Sequence, residues 1–273
     1  MAERLSNSWR LILNRCASAA RQRWVQPCLL CGAASRGDRL CRPCASHLPW
    51  LGQRVCRTCA APLAAGEVCG ACLKRPPRFD AVRAAFVYAF PVDALIQAYK
   101  YGGDLSLAHT LAQAVFEVAV DAVDVIVPMP LAAERLRERG FNQAYELARH
   151  VGRLHSIPVA MEACRKVRHT AAQAMLPWSE RSRNVRGTFV CDSDMTGQRV
   201  AIVDDVMTTG ATLNELAKNI KRAGAAHVVG WVVARALRYG TADAAIVIPT
   251  TAAPCVATAI DAGADRRMPA ARN

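Results

Sequence analysis

The chain has 273 residues, 52% of them hydrophobic, enough for one sizeable domain with a full core and a smaller one beside it. Its net charge of +13 is unevenly spread: residues 1–78 hold 13 Lys+Arg against 3 Asp+Glu, whereas residues 79–273 hold 22 against 19. No signal-peptide-like apolar region and no apolar run long enough to span a bilayer is visible, which argues against a secreted or membrane-spanning protein and leads us to expect a reducing, cytoplasmic setting.

Leu5, Trp9, Ile12, Leu13, Cys16 and Ala20 recur at rough helical spacing among Arg4, Arg10, Arg15, Arg21 and Arg23. Residues 1–26 are therefore expected to form a basic N-terminal segment with an apolar stripe. The basic excess continues to residue 78 and points to an anionic partner for this third of the chain, such as nucleic acid.

Residues 27–74 contain an internal repeat. Cys28, Cys31, Cys41 and Cys44 form two C-x-x-C pairs, and Cys56, Cys59, Cys69 and Cys72 repeat the same spacing 28 residues later. A C-x-x-C turn presents two thiolates to one metal, and two such turns complete a tetrahedral shell of four thiolates. A segment this short, with few large apolar residues, cannot hold itself together by burial alone, so structural zinc, one or two ions, is expected to supply the folding energy. Sequential pairing gives two tandem ribbons, as the repeat suggests; interleaved pairing gives a cross-braced site. The remaining cysteines, Cys16, Cys164, Cys191 and Cys255, are scattered singles expected to act as small apolar residues.

After a linker at residues 75–78, residues 84–90 read as a strand and residues 92–101 as a helix that ends at Lys100-Tyr101-Gly102-Gly103-Asp104. Residues 105–120 read as a further helix. Residues 124–130 read as a buried strand closing on Pro128-Met129-Pro130. The segment from Arg135 to Gln143 carries three arginines and is expected to be a loop, with a helix over 144–154 and a strand over 159–166. A second basic, polar stretch follows, with His169, Gln173, Arg181, Arg183 and Asn184.

Residues 200–212 read V-A-I-V-D-D-V-M-T-T-G-A-T. The four apolar residues predict a strand buried on both faces, as in a parallel sheet. Asp204 and Asp205 follow where that strand would emerge. Thr208, Thr209, Gly210, Ala211 and Thr212 make a small hydroxyl-rich turn into a helix whose apolar residues fall at 213, 216, 217 and 220. Strand, turn and helix in this order form an anion site at the helix N-terminus. Two carboxylates just ahead of it fit a sugar phosphate, with the phosphate in the turn and ribose hydroxyls, or a bridging Mg²⁺, on the acids. Residues 226–234 read as the next strand. Residues 239–273, rich in Ala and Thr and broken by Pro249, Pro254 and Pro269, are expected to be a loosely packed tail.

The stretch at 200–212 resembles the phosphoribosyl pyrophosphate (PRPP) motif of type I phosphoribosyltransferases. Together with the four C-x-x-C pairs, Leu48-Pro49, Tyr99 to Asp104, Pro128-Met129-Pro130, Arg139 to Gln143, Gln173, Arg181 and Arg183-Asn184-Val185, it makes residues 28–235 similar to the ComF family, linked to natural competence and DNA utilisation. The resemblance implies an α/β fold: a small Cys-rich double zinc ribbon over 27–74, then a type I phosphoribosyltransferase-like parallel sheet with flanking helices over 78–238. It implies PRPP with Mg²⁺ as ligand, Asp204 and Asp205 as catalytic residues, residues 208–212 on the 5′-phosphate, and Lys100, Arg135 and Arg139 on pyrophosphate. Two readings follow. One is transfer of the phosphoribosyl group to a nitrogen acceptor. The other is a non-catalytic nucleotide- or single-stranded-DNA-binding accessory factor for DNA uptake, working with competence-machinery proteins.

Overall fold

The computed structural model describes residues 25–36, 38–167 and 185–237, together with the backbone of 246–247. The basic segment before residue 25, the stretch with His169, Gln173, Arg181, Arg183 and Asn184, and residues 239–273 apart from 246–247 lie outside the described residues. The chain divides into two compact units, residues 1–44 with 251–273 and residues 45–250.

In the first unit, β1 (Val25–Pro27) pairs antiparallel with β2 (Ala34–Arg36). The turn between them is closed by Gly32 N donating to Cys28 O at 2.9 Å, with Gly32 at a φ of 72° that a side chain resists. Cys28 and Cys31 stand on this turn. Cys41 and Cys44 stand at the start of α1 (Arg42–Ser46).

The second unit opens with the matching half of the repeat. Cys56 and Cys59 lie on a turn closed by Ala60 N donating to Cys56 O at 2.8 Å, and Cys69 and Cys72 stand at the start of α2 (Gly70–Lys74). Along the chain the elements of this unit are β3 (Trp50–Leu51), β4 (Ala81–Val87), α3 (Val92–Tyr101), α4 (Leu107–Val118), β5 (Val125–Pro128), α5 (Ala133–Arg139) and α6 (Gln143–His155). They continue with β6 (Cys164–Lys166), β7 (Phe189–Cys191), β8 (Arg199–Met207), α7 (Ala211–Arg222), β9 (His227–Arg235) and β10 (Ile246–Val247).

Six strands form one sheet in the order β10-β3-β4-β9-β8-β5. The four strands β4, β9, β8 and β5 are parallel, and β3 and β10 add an antiparallel edge. The parallel strands are built from near-continuous apolar runs because both faces are covered. Val82, Val127, Val200, Ile202, Val228 and Val232 share one buried cluster with Leu213, Leu216, Ala217 and Ile220 of α7. Their neighbours along the strands point the other way. Ile126 reaches Gly152 of α6, and Trp231 lies against His155, ring centroids 5.3 Å apart. The fold is thus a mostly parallel α/β sheet with helices on both faces.

Three local expectations change. β8 does not stop at Val203; it runs through both aspartates to Met207, because β9 pairs alongside as far as Arg235 opposite Met207. The expected strand over 159–166 reduces to a single bridge between Val159 and Ile126 and to β6, which pairs with β7 outside the main sheet. The arginine-rich segment expected as a loop is largely the helix α5, ended by Gly140 in the left-handed region. Arg, Glu and Leu, none of them branched at Cβ, are good helix formers, so charge alone is a poor guide to a loop.

Candidate functional site

Asp204 and Asp205 lie near the carboxyl end of β8, where ligands of open parallel sheets bind. Asp204 Oδ1 accepts from Asp205 N at 2.9 Å, and Asp205 Oδ1 accepts from Val206 N at 2.7 Å. These bonds hold both carboxylates close to their own strand. Lys100, in the last turn of α3, reaches across so that Nζ lies 2.8 Å from Asp205 Oδ2. The contact is a charge pair: Oδ2 itself is buried and takes no aligned hydrogen bond. Burial and the neighbouring Asp205 push the Asp204 carboxyl up to about 8, against the pull of Lys100. Burial works against the charge on Lys100, but both aspartates outweigh it and its pKa is raised.

The turn after β8 forms the N-terminus of α7. Gly210 sits there at a φ of 79°, and a Cβ would come within 2.5 Å of Met207 Cε. Thr209 Oγ1 accepts from Ala211 N at 3.2 Å, a local bond that ties the turn to the first residue of α7, whose N-cap is Gly210. Asp204, Thr208, Gly210, Ala211 and Thr212 line a cavity of ≈ 100 Å³. Whole small-molecule sites run to about 300–1,000 Å³, so this cavity suits one end of a ligand. A larger cavity of ≈ 310 Å³, among Gln53, Arg54, Arg57 and Glu67, lies on the ribbon and has no acidic pair beside it.

The expected pyrophosphate residues are placed unequally. Lys100 is in direct contact with the acidic pair. Arg139 stacks over Tyr101, with its guanidinium carbon 4.8 Å from the ring centroid and Nη2 donating to Tyr101 Oη at 3.2 Å. It therefore stands beside the end of α3 that carries Lys100. Arg135 lies on the neighbouring turn of α5, within electrostatic reach of Lys166. Two hydrogen bonds tie this side of the site together: Tyr99 Oη donates to Gln143 O at 2.8 Å, and Asn142 Nδ2 donates to Met129 O at 3.2 Å.

Two residues that sequence reasoning missed belong to this region. Lys166 is a half-buried base on β6; burial and Arg135 lower its pKa, against the pull of Asp204. Its signal in the sequence was a lysine ending a short apolar stretch, which is too common to single out. Arg235 closes β9 and is 7% exposed. It donates to the carbonyl oxygens of both Met207 and Thr208. Nothing in the sequence marks it, because its role comes from pairing β9 with β8.

The cysteines assemble sequentially, with Cys28, Cys31, Cys41 and Cys44 in one cluster and Cys56, Cys59, Cys69 and Cys72 in the other. Within each cluster all four sulfurs lie within 4.8 Å of one another. The sulfurs of Cys31 and Cys41 are 3.6 Å apart, as are those of Cys59 and Cys69. A tetrahedral shell with Zn–S of about 2.3 Å places sulfurs about 3.8 Å apart, so both clusters fit structural zinc. For Cys56, burial raises the pKa, but donors from Cys69, Cys59 and Thr58 outweigh it and bring the thiol down to about 7. Two adjacent carboxylates are the donor type a hard ion such as Mg²⁺ takes, and Lys100 Nζ, 2.8 Å from Asp205 Oδ2, already brings a positive charge to that place.

A family model for the double zinc ribbon domain matches residues 24–73, and one for the phosphoribosyl transferase domain matches residues 136–246. Competence protein F of Haemophilus influenzae is 34% identical over 179 residues, covering 62% of this chain and 78% of that protein. DNA utilization protein YhgH of Escherichia coli K12 is 32% identical over 224 residues, covering 77% and 90%. Among solved structures, a glutamine PRPP amidotransferase from B. subtilis, complexed with ADP and GMP, is 20% identical with a TM-score of 0.34. That likeness covers 47% of this chain and 26% of the other. Among the described residues, no helix is long and apolar enough to cross a membrane.

Proposed function

We propose a PRPP-dependent function for this chain, which belongs to the ComF family of competence and DNA-utilization proteins. It binds PRPP with Mg²⁺ and transfers the phosphoribosyl group to a nitrogen nucleophile. The observation that carries this reading is the meeting of an acidic pair, a Thr-Gly-Ala-Thr turn at a helix N-terminus, and a lysine from another element. The turn at residues 208–212 takes the 5′-phosphate. Asp204 and Asp205 take the ribose hydroxyls and hold Mg²⁺, whose charge would offset that of the pyrophosphate. Lys100 and Arg139, with Arg135, face the pyrophosphate. As the bond from ribose C1 to pyrophosphate oxygen breaks, its electron pair leaves with the pyrophosphate. Positive charge then grows on the ribose beside the acidic pair; Mg²⁺ held there would favour the ionised form of Asp204, and the two carboxylates stabilise that charge. The acceptor nitrogen supplies the electron pair of the new bond and passes its proton to the departing pyrophosphate.

Calorimetry of PRPP with Mg²⁺ tests this on the zinc-replete protein and on Asp204→Asn/Asp205→Asn. We expect binding by the unsubstituted protein, weakened at least about tenfold in the variant, as loss of a charged contact implies. Equal binding by the two proteins would move the ligand elsewhere; no binding by either would end the transferase reading.

A second reading has its own support in the 13 Lys+Arg against 3 Asp+Glu of residues 1–78 and in the names of the relatives. In it the chain binds single-stranded DNA through the basic N-terminal third and serves DNA uptake as an accessory factor. Both readings hold together if one part grips DNA while the other uses PRPP.

A further inference from the structure

Arg235 is a buried cation whose contacts bridge two parts of the second unit. Its Nε donates to Cys59 O at 3.0 Å, within the second cysteine cluster. Its Nη1 donates to Met207 O at 3.0 Å, to Thr208 O, and to Ala236 O at 2.6 Å. One rigid planar group thus spans the turn carrying Cys59, the last residue of β8 and the first residue of the proposed phosphate turn. A guanidinium fixes the relative positions of its acceptors because its donors share one plane. A second link is apolar. Cys56, Cys59, Ala60 and Cys72 belong to the same buried cluster as Phe79, Met207 and Leu213. Met207 and Phe79 are the side chains packed closest around Gly210.

We infer that zinc in the second cluster and PRPP at the 208–212 turn are thermodynamically coupled through Arg235, a positioning residue. The inference rests on the PRPP reading above. Zn²⁺ held by Cys59 would fix the turn whose carbonyl accepts from Arg235 Nε, and with it the plane of the guanidinium. An emptied cluster frees that turn and the guanidinium loses its anchor. Of its other acceptors, Thr208 O lies in the proposed phosphate turn and Met207 O just before it, so the turn loses its fixed geometry as well. Coupling of this kind is reciprocal: if zinc tightens PRPP binding, PRPP must tighten zinc binding by the same factor. The four acceptors of Arg235, on Cys59, Met207, Thr208 and Ala236, all belong to the second unit, and the first cluster serves as the control.

The test uses the full chain loaded with zinc. Occupancy of each cluster is titrated against a zinc-selective chelator that leaves Mg²⁺ free, with and without PRPP. Thiols released from zinc are alkylated and read cysteine by cysteine by mass spectrometry, and PRPP binding is followed in parallel by calorimetry. We expect PRPP to raise zinc retention at Cys56, Cys59, Cys69 and Cys72 about fivefold or more, the lower end of measured couplings, and to leave Cys28, Cys31, Cys41 and Cys44 unchanged. In Arg235→Lys, which keeps the charge and loses the fork, that protection should fall away and PRPP should bind more weakly. PRPP binding with no change at the second cluster, or equal protection of both clusters, overturns the coupling alone. Undiminished protection in Arg235→Lys overturns the role of Arg235. Absence of PRPP binding by the unsubstituted protein overturns the functional reading and this inference together.

Discussion

Asp204 ties the protonation of the site to the stability of the fold. Its carboxyl rises from an ordinary 3.8 to about 8 because burial and Asp205 both oppose its charge. Between those values the folded protein holds a proton that the unfolded chain has released. Stability contributed by Asp204 is therefore full below about pH 4 and is lost as pH rises toward 8. Lys100, also raised, gives up its contribution only above its ordinary 10.5, outside this window. Urea midpoints measured from pH 4.5 to 8 should fall with pH in the unsubstituted protein and flatten in Asp204→Asn; parallel curves would refute the assignment. Gly210 is the second residue whose identity the site demands. Gly210→Ala places a Cβ 2.5 Å from Met207 Cε at a φ of 79°. A left-handed residue with a side chain costs about 1–2 kcal/mol, so the urea midpoint should drop with an unchanged slope, and PRPP should bind more weakly. Both residues were legible in the sequence, since a D-D pair and a lone glycine between threonines stand out. Lys166 and Arg235 were not, because a single basic residue at a strand end has no local signature.

The elements around the site are held by a few identifiable contacts. Asn142 caps α6, accepting from Ala144 N at 3.0 Å and Tyr145 N at 3.4 Å, and its amide donates to Met129 O in the turn after β5. It thereby joins the start of α6 to the turn after β5, the two ends between which the arginine-bearing helix α5 runs. Asn142→Ala should destabilise the protein by about 1 kcal/mol, read as a lower thermal midpoint, from the lost cap alone. PRPP affinity should fall as well, through Arg139; an unchanged affinity would separate α5 from the site. Long periodic elements were readable from the sequence: α3 spans Val92–Tyr101 as the apolar spacing predicts, and α7 spans Ala211–Arg222 beside an expectation of 213–223. Short ones were not. α5 is only 7 residues long, and β6 pairs with a partner distant in sequence, so neither leaves a period to read.

Across the whole chain, charge and metal divide the protein differently from the fold. The basic excess fills residues 1–78, yet the second cysteine cluster within that span shares its core with the sheet. If the basic third grips single-stranded DNA, the logarithm of affinity should fall linearly with the logarithm of salt, with a slope of about −0.7 per phosphate neutralised. Measured at salt concentrations from about 50 to 200 mM, an affinity indifferent to salt would refute that grip. Consecutive residues alone specified the double zinc ribbon, the parallel sheet and the D-D-V-M-T-T-G-A-T turn, because ligand spacing, buried strands and a glycine-bearing turn into a helix are local patterns. It took the folded arrangement to establish that Lys100 meets Asp205, that the cysteines pair in sequence, and that Arg235 joins the second cluster to the turn. These depend on which strands lie side by side, and strand order across a parallel sheet is set by burial over the whole core, not by neighbours in the chain.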